Sequence, residues 1–100
     1  MATSEEYLKY VSEFLSGLEN IAYRKMMGEY LIYYNGKVVG GVYDNRLLLK
    51  KTKTAVKLCE NLGKVLSFEL PYPGGKEMIL SDFSDAEFTS AIIKAIASDI

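Results

Sequence analysis

MMGEYLIYYNGKVVGGVYDNRLLLK, residues 26–50, decides the fold. It holds three runs rich in aromatic and aliphatic residues, separated by two turn signals. Asn35-Gly36 supplies the positive φ angles of a two-residue type I′ hairpin turn. Asp44-Asn45 supplies a second tight turn from residues that tolerate the left-handed region. Residues 26–34, 37–43 and 46–50 therefore read as three antiparallel strands of a meander. Gly40-Gly41 removes one side chain from each face of the middle strand. That predicts a close neighbour, most simply a helix, or a bulge.

Outward from this stretch the period changes from two to helical. Thr3-Ser4-Glu5-Glu6 fits a capping box, with Thr3 as cap and Glu6 reaching back. Tyr7, Val11, Phe14, Leu15 and Leu18 share one face, which predicts a helix over 4–18, with Gly17 and Asn20 at its exit. Downstream, Ala55, Leu58, Cys59 and Leu62 predict a second helix over 54–62, capped by Thr52 or Thr54 and ended by Gly63. Residues 65–70 alternate as a strand, with Leu66, Phe68 and Leu70 on one side. Pro71-Tyr72-Pro73-Gly74-Gly75 is a loop, and 76–81 reads as the last strand. Ser84-Asp85-Ala86-Glu87 is a second capping box, opening a helix with Phe88, Ala91, Ile92, Ala95 and Ile96 on one face. The order α-β(3)-α-β(2)-α groups its strands. That predicts a two-layer α+β domain: a largely antiparallel five-stranded sheet with all helices on one face.

Composition bounds the function. The chain has 100 residues, which suits one domain spanning 1–100. Histidine is absent, which removes the usual general base, the serine and cysteine triads and standard zinc sites. The single cysteine, Cys59, excludes an intrachain disulfide and reads as a small buried hydrophobe. No apolar run reaches membrane-spanning length, and the polar, acidic N-terminus lacks signal-peptide character. The expectation is a cytoplasmic, non-enzymatic domain without membrane contact, metal or cofactor.

The net charge of −1 hides an asymmetry. Residues 22–64 carry nine basic and three acidic side chains, a local +6, while the rest carry −7. A basic middle can steer an acidic protein or nucleic acid, or simply neutralise the acidic ends. The acidic balance overall counts against a dedicated DNA-binding domain.

Three groups stand out as candidate contacts. Arg24 and Lys25 precede Met26-Met27-Gly28, where Arg24 can grip an acidic partner. The packing alternative puts Met26 in the core and pairs Arg24 with an acidic helix residue. Tyr30, Tyr33 and Tyr34 lie on one strand, Tyr30 and Tyr34 on the same face. An exposed pair could stack bases or anchor a protein. Lys50, Lys51, Lys53 and Lys57 surround the start of the second helix, where they and free backbone N–H groups could hold an anion or acidic peptide.

The segment from Arg24 through Gly36, with Met26-Met27-Gly28 and Asn35-Gly36, resembles the start of the N-terminal domain of the TfoX/Sxy family. That family shows a basic residue, Met-Phe-Gly, an aromatic strand and an Asp-Gly or Asn-Gly turn. The resemblance continues through Asp44-Asn45-Arg46-Leu47-Leu48-Leu49-Lys50. Residues 70–78 look like the short, single-domain relatives. It spans about residues 5–98. Met27 stands where the family usually has phenylalanine, and Glu29 often where it has glycine. The resemblance implies a two-layer α+β fold similar to secretion chaperones. Full-length members of the family are positive regulators of competence genes that act with the cyclic-AMP receptor protein. Their separate C-terminal domain has no counterpart within residues 1–100. The implied function is a non-enzymatic regulatory or adaptor module working by protein contact in transcription regulation, with a homodimer as one possible state. Direct nucleic-acid binding by the basic segment 46–57 is the alternative.

Overall fold

A computed structural model describes residues 3–100. The chain runs α1 (Glu5–Phe14), β1 (Ile21–Met26), β2 (Glu29–Tyr34), β3 (Lys37–Tyr43), β4 (Arg46–Lys50), α2 (Lys53–Asn61), β5 (Phe68–Glu69), β6 (Met78–Leu80) and α3 (Ala86–Asp99). The sheet is antiparallel, in the order β1-β2-β3-β4-β6-β5. It is α+β as expected, but among the described residues the sheet has six strands rather than five.

The extra strand comes from a turn that the sequence conceals. Residues 26–34 do not form one strand. Met27 (φ 51°) and Gly28 (φ 84°) both take positive φ and join β1 to β2 in a tight hairpin. Methionine gives no signal for that conformation, unlike Asn35 (φ 51°) or the Asp44-Asn45 pair (φ 49° and 56°), which turn as expected.

The face of the sheet toward the helices carries Ile32, Val42, Leu47, Leu49 and Ile79. They pack with Val11 and Leu15 of α1, Ala55 and Cys59 of α2, and Ile92, Ile93 and Ile96 of α3. All three helices therefore contribute to one core on one side. Leu62, expected on the buried face of α2, is instead 56% exposed beyond the helix end.

Two glycines let the strands approach. A Cβ on Gly40 would overlap the Leu48 carbonyl oxygen, and one on Gly41 would stand 2.5 Å from the Tyr43 ring. The close neighbours are thus a strand backbone and a tyrosine, not a helix. Beside them the register slips. Ile32 opposes Gly40 while Tyr33 opposes Val38, leaving Val39 as the extra residue. This bulge sends Val39 into the core and turns Val38 to the other face.

The caps also differ in detail. Ser4, not Thr3, caps α1 by accepting the Tyr7 N–H at 3.1 Å. Thr3 is buried, and its hydroxyl donates to Glu29 Oε1 at 2.7 Å. Thr52 caps α2, and Asp85 rather than Ser84 caps α3. The strand expected over 65–70 shrinks to two residues. β6 has only three residues and pairs with them only at Ile79 and Met78.

Candidate functional site

Arg24 and Lys25 lie on β1, an edge strand that among the described residues pairs only with β2. Its outer row of backbone groups is open over six residues, whereas the opposite edge, β5, has two. Arg24 opposes Leu31 and faces away from the helices with Tyr33; both basic side chains are exposed. Met26 is not a core residue as the packing reading expected: it is 42% exposed, and Met27 is 97% exposed. Among the described residues Arg24 enters no ion pair. Tyr30 and Tyr34 share a face as expected, but that face packs against the helix-side core. The exposed tyrosine pair that base stacking requires is not formed there.

The lysine group is split by the fold. Lys53 and Lys57 stand exposed on α2. Lys51 pairs with Glu77 at 2.9 Å and sits 4.5 Å from the centre of the Phe68 ring. The anion position at the start of α2 is already filled from within the chain. Asp99 accepts the Thr54 N–H at 2.9 Å and the Thr54 hydroxyl at 2.6 Å. Thr52 Oγ1 takes the Ala55 N–H. These bonds from Thr54 hold the Asp99 carboxyl below its ordinary range. Arg46, in the same basic segment, pairs with Glu69 at 2.6 Å and donates to the Leu70 and Pro71 carbonyls.

The sheet face away from the helices holds a feature the sequence reading missed. Loop 70–77 folds back across this face. Beneath it Leu48 is 0% exposed although it lies outside the helix-side core, Tyr43 is buried, and so is Pro71 of the loop itself. The Tyr43 and Tyr72 rings meet edge to face at 6.3 Å. Between loop and sheet lies a half-open cleft of about 630 Å³. Lys50, Lys51 and Lys76 reach it, together with Val38, Tyr72 and Met78. The signal was present in Pro71-Tyr72-Pro73-Gly74-Gly75, but nothing local says which surface a loop will cover.

Burial pushes the Cys59 thiol up, which makes it a poor nucleophile. Burial, with Tyr72 and Glu29 adding to it, also raises Tyr43, so its hydroxyl stays protonated. Among the described residues no three His, Cys, Asp or Glu side chains gather as metal ligands, and no helix is long and apolar enough to cross a membrane.

Comparison with known proteins places this architecture. An uncharacterized 12.7 kDa protein in the trpE 5′ region of Spirochaeta aurantia is 36% identical over 84 residues, covering 82% of this chain and 68% of its own length. No solved structure matches significantly. The family model of the TfoX N-terminal domain matches residues 13–88, from the last two residues of α1 to the start of α3. That span includes the whole meander, the Met27-Gly28 hairpin and the loop over the open face, and the chain belongs to the TfoX N-terminal domain family.

Proposed function

We propose that this TfoX-like domain is a regulatory or adaptor module that works by protein–protein contact through its β1–β2 hairpin. One observation carries the reading. Met27 occupies a left-handed turn position at 97% exposure. An L-residue there is disfavoured by about 1–2 kcal/mol, and asparagine relieves most of that. The neighbouring hairpin uses asparagine at the same place. Folding gains nothing from a bare methionine in that conformation, whereas a partner surface gains an adaptable apolar anchor. Arg24 and Lys25 beside it, on an open strand edge, favour an acidic, extended segment of the partner. Regulation of transcription is the setting that the family resemblance supplies.

The test is affinity capture from the source organism's lysate with the wild-type chain, a Met27→Asn variant and an Arg24→Ala/Lys25→Ala variant, each with and without nuclease. A specific protein that survives nuclease and is lost with either variant is the expected result. Equal capture by all three chains overturns the hairpin as the contact. Recovery of nucleic acid alone shifts the reading to the basic segment 46–57. Within that segment Arg46 and Lys51 are already paired with carboxylates, which favours the protein reading.

A further inference from the structure

We propose that the cleft between loop 70–77 and the open sheet face binds a small organic anion: an apolar or aromatic body carrying one phosphate or carboxylate. This is independent of the hairpin contact.

The cleft volume of about 630 Å³ falls in the range of small-molecule sites, roughly 300–1,000 Å³. Its lining combines two kinds of surface. Val38, Met78 and the Tyr43 and Tyr72 rings supply apolar and aromatic surface suited to a flat body. Lys50, Lys51 and Lys76 bring three ammonium groups, opposed by the Glu77 carboxylate alone. Glu77 is engaged by Lys51 at 2.9 Å, and among the described residues neither Lys50 nor Lys76 has an ion-pair partner. The cleft therefore carries a local excess of two positive charges. Like charges gathered at one site disfavour one another, and an anion between them reverses that.

The backbone shapes the same place. The bulge at Val39 is what turns Val38 onto the cleft wall. A Cβ on Gly75 would stand 3.0 Å from the Pro71 ring and 3.1 Å from the Tyr72 ring, so glycine lets the loop pack tightly on Pro71 and Tyr72. Gly74 turns the loop at φ +87°. Bulges recur beside binding sites because they re-aim single side chains.

The probe is phenyl phosphate, titrated into the ¹⁵N-labelled chain and followed by amide chemical shifts. Phenylacetate, inorganic phosphate and benzyl alcohol run in parallel. Saturable shifts at Val38, Gly74, Gly75, Glu77 and Met78 are expected with phenyl phosphate or phenylacetate, and the stronger of the two identifies the acid group. Inorganic phosphate and benzyl alcohol should bind at least about tenfold more weakly, because each lacks half of the recognition. Lys50→Gln/Lys76→Gln should raise Kd at least about tenfold, the loss expected for a charge-assisted hydrogen bond. Glu77→Gln should lower Kd, since it frees Lys51 and removes the one opposing charge. Shifts that do not saturate, shifts confined to the Lys53–Lys57 surface, unchanged binding in the double variant, or weaker binding in Glu77→Gln each overturn the proposal. All variants lie at exposed or half-exposed positions, so a dispersed spectrum serves as the control for folding.

Discussion

Glu29 does the work of several residues. Its carboxylate accepts the Thr3 N–H at 2.9 Å, the Thr3 hydroxyl at 2.7 Å and the Asp44 N–H at 3.0 Å. One side chain thereby ties the chain start to the β3–β4 turn. Glu29→Ala leaves those donors without their acceptor and should destabilise by about 1.5–3 kcal/mol, the range for bonds to a charged group. A lowered midpoint in urea with an unchanged slope would show it. Tyr23 is the opposite case. Its hydroxyl is buried without a partner, and burial pushes its pKa up to about 12 from 10.0. A folded pKa above the unfolded one means that stability is fully present below pH 10 and is lost as pH rises toward 12. Tyr23→Phe should match or exceed wild-type stability at pH 7 and decline less steeply above pH 10. Thermal melts from pH 7 to 11.5 would test this. Some decline remains, because Tyr7 and Tyr43 are raised by burial as well.

At the scale of elements, the turns and caps set where strands and helices meet. Met27→Asn should stabilise the β1–β2 hairpin by about 1 kcal/mol, because asparagine tolerates positive φ and the exposed methionine leaves no cavity. A higher Tm alongside lost partner capture would separate fold from function at this turn. Gly40→Ala should destabilise by about 1–3 kcal/mol or more, since its Cβ meets the backbone of β4, which has little freedom to move. The start of α2 answers to pH. Asp99, with its pKa lowered below 3.8 by Thr54, supports the fold above that value and loses this contribution as pH falls through its folded pKa. Asp99→Asn should flatten the acid limb of the stability profile below pH 4, as read by urea midpoints. Much of this scale was legible. Asn35-Gly36, Asp44-Asn45 and Thr52 announce their roles, because their side chains tolerate positive φ or accept a nearby N–H. The Met27-Gly28 turn was not legible, because its conformation is imposed by the pairing of β1 with β2 rather than by the methionine. The group that meets Thr54 at the start of α2 was not legible for a related reason: Asp99 is 45 residues away in sequence.

Across the whole molecule, the charge distribution and the open strand edge bear on self-association. The basic segment 22–64 builds most of the meander and α2, and the acidic side chains lie mainly on the remaining elements. The open edge β1 carries Arg24 and Lys25, the arrangement by which sheets discourage self-pairing. Antiparallel pairing of two β1 strands would bring four cations to one seam. Self-association through this edge should therefore be weak at low ionic strength and should strengthen as salt screens the charges. Sedimentation velocity at 50 and 500 mM salt would test it; a stable dimer at low salt would show that another surface pairs the copies.

The sequence by itself determined the fold class, the meander, the three amphipathic helices and the family. The first three follow from periodicity and from turn residues whose preferences act over a few positions; the family rests on the resemblance of its motif-bearing segments, which the family match over residues 13–88 bears out. Gly40-Gly41 signalled a bulge as one alternative, but the sequence did not determine the sixth strand, that the bulge sends Val39 to the core and Val38 to the other face, or the pairing of Lys51 with Glu77 and of Thr54 with Asp99. Nor did it show that the 70–77 loop closes a cationic cleft on the second face of the sheet. Each of those depends on two segments distant along the chain meeting in space, and only the tertiary structure decides which surfaces meet.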